Sequence, residues 1–161
     1  MRRRHQRGSA AVETALVAIP MICMFLGTVE LGRCMWMYHT LAAATKAATR
    51  YAIVHGEGCA ASGCGATVST VSGILRKAGI GLDGRYLSLR FTAGDSTIDC
   101  ATLPACEART DAWPPASHNT AGQQISIRAS YSFISVITRL WPGHSGGAVQ
   151  LIAQTTEAIQ F

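Results

Sequence analysis

Glu13 is the residue whose chemistry most needs an explanation, because it lies near the start of a long apolar segment. The segment at residues 10–29 carries no other charged side chain and is long enough to cross a bilayer core of about 30 Å as a helix. A cluster of arginines precedes it: Arg2, Arg3, Arg4 and Arg7. An isolated charge at membrane depth costs at least ~2.5 kcal/mol, so a carboxylate there indicates a function and requires a partner.

The junction Gly8-Ser9 upstream of Glu13 resembles a class III signal, which prepilin peptidases cut on the cytoplasmic side just after a glycine. Cleavage there would make Ser9 the first residue of the mature chain and Glu13 the fifth. The resemblance implies that Glu13 offsets the N-terminal amine of a neighbouring subunit, which would supply the missing partner. A plain signal anchor with Glu13 at headgroup level is the other interpretation. A conventional secretory signal is disfavoured, because its apolar region spans only roughly 7–15 residues.

Three segments, residues 10–20, 27–33 and 47–52, together resemble the N-terminal block of the TadE-like family. The resemblance rests on the joint spacing of glycine, glutamate, proline, Glu-x-Gly-Arg and Arg-Tyr-Ala elements. It departs from many family members at Thr14, where a bulkier apolar or aromatic residue is usual. It implies a non-enzymatic, pilin-like protein of the tight-adherence (Tad/Flp) pilus machinery, acting as a minor pilin or pseudopilin. The implied partners are prepilin peptidase, other Tad pilus subunits and inner-membrane platform proteins.

The far end of the apolar segment is marked by Glu30 and Arg33, three residues apart on one helical face, where they can pair at the membrane interface. Trp36 and Tyr38 follow, as an aromatic belt would, so membrane lipid is an expected partner. The excess of arginines before the segment predicts a cytoplasmic N-terminus and an extracytoplasmic C-terminal part in a single-pass inner-membrane protein. Whether the protein also enters the pilus stays open.

The basic composition does not indicate nucleic-acid binding. The chain has a formal net charge of +5, but loss of the leader would reduce Lys plus Arg from 14 to 10 against 9 acidic residues, leaving about +1. Because no basic patch interleaved with aromatics occurs elsewhere, we predict no nucleic-acid partner.

Hydrophobic periodicity predicts an α+β protein in which a long N-terminal transmembrane and amphipathic helix packs on a small antiparallel β-sheet domain. Apolar residues recur at three- and four-residue steps through residues 38–53, and Gly56 and Gly58 end the pattern. Pro20 predicts a kink near Leu16. The predicted division is a leader at 1–8, the helix at 9–55 and an extracytoplasmic domain at 56–161.

Within that domain, residues 67–78 predict a short helix closed by Gly79 and Gly81. Period-two alternation predicts half-buried strands at 86–92 and 124–133, and a last strand is predicted at 149–156. The Pro-, Ala-, Ser- and Asn-rich stretch at 104–122 predicts an exposed loop.

Four cysteines fall in the predicted extracytoplasmic domain: Cys59, Cys64, Cys100 and Cys106. An oxidising compartment favours two disulfides, most simply within the two local pairs, although four cysteines permit three pairings. A four-thiolate zinc site is the rival interpretation, but the Cys-x4-Cys and Cys-x5-Cys spacings are looser than the usual knuckle. We therefore predict no metal and no cofactor.

The motif at residues 143–147 matches the Gly-x-Ser-x-Gly nucleophile elbow of hydrolases and is therefore the candidate for an enzymatic function. In that fold the catalytic histidine follows the serine, yet no histidine follows His144, so we predict no catalytic residues. The alternative to the pilin class is a signal-anchored extracytoplasmic binding module that is never assembled into a pilus. The mature N-terminus separates the two, because Ser9 favours the pilin class and Met1 the anchor.

Overall fold

A single long helix dominates the structure, a computed structural model that describes residues 6–55, 65–136 and 147–160. Side chains are described from residue 10 onward in the first of these ranges. Helix α1, Gln6–Val54, has 49 residues and is therefore about 74 Å long. It contains Pro20, and the helical assignment continues through it. Gly56 and Gly58, which predicted the end of the pattern, lie outside the described residues.

The C-terminal half of α1 is amphipathic, as its periodicity predicts. The residues of its buried face are fully inaccessible to solvent and recur at three- and four-residue steps: Leu41, Ala44, Thr45, Ala48, Thr49 and Ala52. The hydroxyl groups of Thr45 and Thr49 donate hydrogen bonds to the carbonyls of Leu41 and Thr45, at 2.8 and 2.9 Å. Alanine and threonine are small, so this face lets α1 approach the second helix of the domain and the sheet closely.

Helix α2, Val68–Ala78, is the short helix that the sequence predicted. Thr67 caps its N-terminus in a reciprocal capping box with Thr70, with N–O distances of 3.1 and 2.8 Å. At the other end Gly79 donates its N–H to the Leu75 carbonyl at 2.8 Å. A side chain at Gly79 would come within 2.9 Å of that carbonyl, so the position favours glycine.

A four-stranded antiparallel sheet forms the rest of the core. Its strands are β1 (Leu87–Ala93), β2 (Ser96–Cys100), β3 (Gln124–Phe133) and β4 (Val149–Ala158), in the order β2-β1-β3-β4. The predicted alternation is observed, since every second residue of β1 is buried and so is every second residue of β3. One sheet face therefore packs on α1 while the other is polar. The α+β fold class is confirmed.

The expectation of an exposed loop at residues 104–122 is wrong in part. Helix α3, Leu103–Glu107, begins the segment, and Trp113 is fully buried with its ring edge-on to Phe91 at a centroid distance of 5.1 Å. The backbone N–H of Trp113 donates to the Ala66 carbonyl at 2.9 Å. The polar composition concealed one large apolar anchor, which fixes the segment beside the N-terminus of α2.

The elements define two ends of the domain. The end of β3 at Phe133 and the start of β4 at Val149 are register partners, and both lie at the end nearest the apolar half of α1. We call this the proximal end. At the opposite, distal end the Gln160 N–H reaches the Ile53 carbonyl, and the β1–β2 turn at Gly94 lies against His118.

Candidate functional site

The N-terminal half of α1 is an exposed apolar rod, in contrast to the packed half that follows. The large apolar side chains between residues 12 and 29 are 41 to 75% exposed. The most apolar window has a mean hydropathy of 2.0 and no residue buried inside the protein. Thr14 and Thr28 direct their hydroxyls to the carbonyls of Ala10 and Met24, at 2.8 and 2.9 Å. Apart from the Leu16 carbonyl, which lacks its usual donor because Pro20 has no N–H, the backbone and these hydroxyls are satisfied within the helix, as a membrane-spanning segment requires.

By length and composition, α1 is the one helix of the described residues that could cross a membrane. This fits a single-pass membrane protein. Soluble core helices and signal sequences can pass the same length test, but a core helix is mostly buried and this segment is not.

The predicted processing residues lie at the very start of this helix. Gly8 and Ser9 fall within the helical backbone of α1, and Glu13 follows one turn later with an exposed side chain. Among the described residues, no hydrogen bond or ion pair involves the Glu13 carboxylate. Within the described residues, this carboxylate therefore has no protein partner in the apolar segment.

Glu30 and Arg33 do more than pair with each other. Arg33 Nη2 lies 3.1 Å from both carboxylate oxygens of Glu30 and donates to the Ile134 carbonyl at 2.8 Å. Its guanidinium also covers the Phe133 ring, 4.5 Å from the centroid. Glu30 Oε1 accepts a hydrogen bond from the Val136 N–H at 3.2 Å. We call this group of residues (Glu30, Arg33, Phe133, Ile134 and Val136) the clasp.

The clasp joins the point where the apolar run ends to the end of β3, about a hundred residues later in the chain. Sequence analysis predicted the ion pair but not its attachment to the domain. Neither the Ile134 carbonyl nor the Val136 N–H has a side-chain signature, so only the fold reveals them. The contacts fix the globular domain to α1 directly above the apolar half.

The predicted disulfide cysteines are only partly within the described residues. Cys100 at the end of β2 and Cys106 in α3 are bonded to each other, with Cα atoms 5.5 Å apart, and both are buried. Cys59 and Cys64 lie outside the described residues. Cys23 is an exposed thiol of the apolar half and Cys34 is a half-buried one.

The bond also bears on the zinc alternative, because it leaves neither Cys100 nor Cys106 as a thiolate. In the part of the chain that the structure describes, no cluster of three or more His, Cys, Asp or Glu side chains could hold a metal ion. The Gly-x-Ser-x-Gly motif at residues 143–147 is not within that part, apart from its last glycine.

The comparison with protein families identifies the N-terminal block. Residues 8–50 match the family model of TadE-like proteins. The match begins at Gly8 and covers the apolar half, Glu13, the clasp residues of α1 and most of the amphipathic half. The resemblance to the TadE-like family is thereby confirmed over this segment. Proteins of that family are associated with the Tad pilus machinery and are generally non-enzymatic. No curated protein and no solved structure matches the chain.

Proposed function

We propose that this protein is a non-enzymatic minor pilin or pseudopilin that assists assembly or function of a Tad-type pilus. The observation that carries the proposal is the coincidence of three features at one place. The TadE-like match begins at Gly8, an exposed apolar helix follows at once, and a single carboxylate that has no partner among the described residues lies one turn into it.

The proposed course begins with insertion of α1 into the inner membrane, with the arginines held on the cytoplasmic side. Prepilin peptidase then cuts between Gly8 and Ser9. The new amine at Ser9 and the carboxylate of Glu13 are complementary charges, so each subunit can offer one group to a neighbour in an apolar environment. Other Tad subunits and platform proteins are the proposed partners, and the domain at residues 56–161 remains outside the membrane.

The test is the N-terminus of the protein isolated from membranes and from sheared pili. We expect Ser9 as the first residue, with the protein recovered from pili or from a complex with other pilus components. Replacement of Gly8 by leucine should leave a full-length, membrane-retained precursor and abolish piliation, because the peptidase requires a small residue at the cut.

Gly27→Leu is the matched control, since a side chain at Gly27 would meet nothing within 4 Å and the position lies far from the cut. It should be processed normally. A Gly8→Leu protein that is still shortened by the mass of the leader would contradict the class III assignment. A wild-type protein that retains Met1 and is absent from pili would favour a signal-anchored binding module instead.

A further inference from the structure

The exposed apolar side chains of the globular domain are not spread over its surface. Among the described residues outside α1, five large apolar side chains are exposed: Ile80, Tyr86, Val136, Val149 and Ile152. The first four belong to the proximal end. Only Ile152 lies elsewhere, on the polar face of the sheet, where it is the register partner of Ser130.

The four proximal side chains come from three separate parts of the chain. Ile80 lies in the turn after α2, Tyr86 directly precedes β1, and Val136 and Val149 flank the connection between β3 and β4. Tyr86 and Val136 line one cleft together with Arg33 and Met37 of α1. Four residues so distant in sequence share one end of the domain only because the fold brings them there. We call this group (Ile80, Tyr86, Val136 and Val149) the apolar base.

The apolar base adjoins the part of α1 that emerges from the apolar half. A side chain at Gly81 would come within 2.7 Å of Trp36 Cη2, so the turn that carries Ile80 lies against the Trp36 ring. Val136 is attached to Glu30 through the clasp. Leu31, Met35 and Trp36 of α1 are themselves more than half exposed at this level. The exposed apolar surface of α1 therefore continues, at the same position along the helix axis, onto the apolar base of the domain.

The position along α1 places this surface at the membrane boundary. If residues 10–29 fill the hydrocarbon core, Trp36 Cα lies roughly 10 Å beyond its edge, a few ångströms outside a headgroup region about 5–8 Å thick. Helical side chains point back toward the N-terminus, so the Trp36 ring and the turn packed on it reach toward the bilayer.

The charged side chains at the proximal end are compatible with contact to lipid headgroups. Asp83 is paired with Arg85 at 2.7 Å, and Glu30 with Arg33, so neither carboxylate faces the headgroups alone. Lys77, exposed three residues before Ile80, adds a cation that anionic headgroups attract.

We infer that the apolar base is a second membrane-contact surface, with which the globular domain rests on the outer face of the same bilayer that α1 crosses. The occupant is lipid rather than protein, because the surface continues the helix's own membrane-facing surface and ends at the level of its aromatic belt. This inference rests on the proposed function's assignment of α1 as membrane-spanning. Contact at two places would restrict the tilt of the domain relative to the bilayer.

Site-specific photocrosslinking of the full chain tests the inference. The chain is reconstituted in vesicles of phosphatidylcholine and phosphatidylglycerol, with benzoylphenylalanine replacing one residue at a time. Phe25 in the apolar half reports insertion of α1. Ile80, 72% exposed, reports the apolar base, and Ile152, 42% exposed on the polar sheet face, is the matched isoleucine control. A probe at Val149 repeats the test at a second base position in case the residue-80 variant fails to fold.

We expect lipid adducts at positions 25, 80 and 149, each several-fold above the yield at 152. Adducts at 25 with yields at 80 and 149 no higher than at 152 would overturn the inference while leaving the membrane span intact. Crosslinks from 80 and 149 to another protein chain in place of lipid would also overturn it. Absence of lipid adducts at 25 would remove the span itself and the inference with it.

Discussion

At the scale of single residues, two carboxylates on helix α1 differ in their exposure and in their hydrogen bonding. Glu30 is 15% exposed and accepts hydrogen bonds from Arg33 and from the Val136 backbone, whereas Glu13 is exposed in an apolar segment with no partner among the described residues. The Glu30 carboxylate is hydrogen-bonded to groups of its own chain. The Glu13 carboxylate is available to another molecule, which is why we assign it a contact between subunits.

Glu13→Ala should therefore leave processing at Gly8 largely intact and reduce incorporation into pili or complexes, because the Ser9 amine of the next subunit loses its counter-charge. The readouts are the mature N-terminus and the amount of protein recovered from sheared pili. Thr14→Ala is the neighbouring control, since the Thr14 hydroxyl bonds only to the helix's own Ala10 carbonyl. Normal recovery of the Glu13→Ala protein would show that the carboxylate is merely tolerated.

Arg33→Ala tests the clasp. The variant loses the ion pair with Glu30, the hydrogen bond to the Ile134 carbonyl and the contact with the Phe133 ring. Because the Arg33 side chain is 35% exposed and partly screened by solvent, we expect a loss of about 1–2 kcal/mol in the free energy of unfolding.

The measurement is denaturant unfolding of the full chain in lipid nanodiscs, followed through the globular domain. Lys46→Ala, an exposed cation on the same helix with no ion pair among the described residues, should change stability by less than about 0.5 kcal/mol. Equal stability of the two variants would mean that the clasp contributes nothing to the packing of the domain on α1.

At the scale of elements, the sequence predicted those helices and strands whose hydrophobic residues repeat regularly over many positions. Strand β3 alternates over ten residues and its predicted bounds are those of the structure. Strand β2 has only five residues, and α3 has five with Pro104 near its start, so neither carries a full repeat of any period. The position of α3 beside α2 and of Trp113 beside Phe91 depends on contacts between distant segments, which periodicity does not encode.

The clasp illustrates the same limit for the candidate site. The pairing of Glu30 with Arg33 could be predicted from their spacing. The roles of Gly8, Ser9 and Glu13 were implied by a family resemblance. The backbone partners of Glu30 and Arg33 in residues 134–136 could not be identified, because a main-chain group has no residue-specific signature.

Cys100→Ser tests the link between β2 and α3, two elements that the sequence did not predict. The bond closes a short loop, so it restricts the unfolded chain modestly, and we expect its loss to cost at most about 2–3 kcal/mol. The thermal midpoint of the domain should fall while membrane insertion of α1 is unchanged. Cys23→Ser, at an exposed position of the apolar half, should leave the midpoint unaltered.

Alkylation of the unreduced protein provides the chemical check on the same element. Cys100 and Cys106 should resist labelling until a reductant is added. Labelling of both thiols in the folded domain would contradict the disulfide, and stoichiometric zinc in that sample would restore the metal interpretation.

At the scale of the whole molecule, the protein is arranged along one axis. An exposed apolar rod occupies one end, the clasp and the apolar base follow, and the distal loops form the other end, while the polar sheet face extends along the domain between the two ends. If the leader is removed as proposed, about ten basic residues balance nine acidic ones. Long-range charge therefore contributes little, and the pH dependence of the domain should reflect individual ion pairs.

Two such ion pairs show whether the stability of the domain rises or falls as the pH changes. The hydrogen bonds from the Arg85 side chain and backbone hold the pKa of Asp83 below its ordinary value. A hydrogen bond from the Arg109 side chain lowers the pKa of Asp111 in the same way. A carboxyl group whose pKa is lower in the folded state binds its proton more weakly there than in the unfolded chain. Its contribution is therefore complete above the unfolded pKa of about 3.9 and disappears as pH falls through the folded value.

We accordingly expect the thermal midpoint of the full chain in nanodiscs to be flat from pH 7 to about pH 5 and to fall below about pH 4. The fall should be small, because both pairs are at the surface and screened by solvent. The double variant Asp83→Asn, Asp111→Asn should flatten the acid limb, whereas Asp95→Asn, at an exposed turn residue with no ion pair among the described residues, should keep it. An acid limb unchanged in the double variant would assign the pH dependence to carboxylates other than these two.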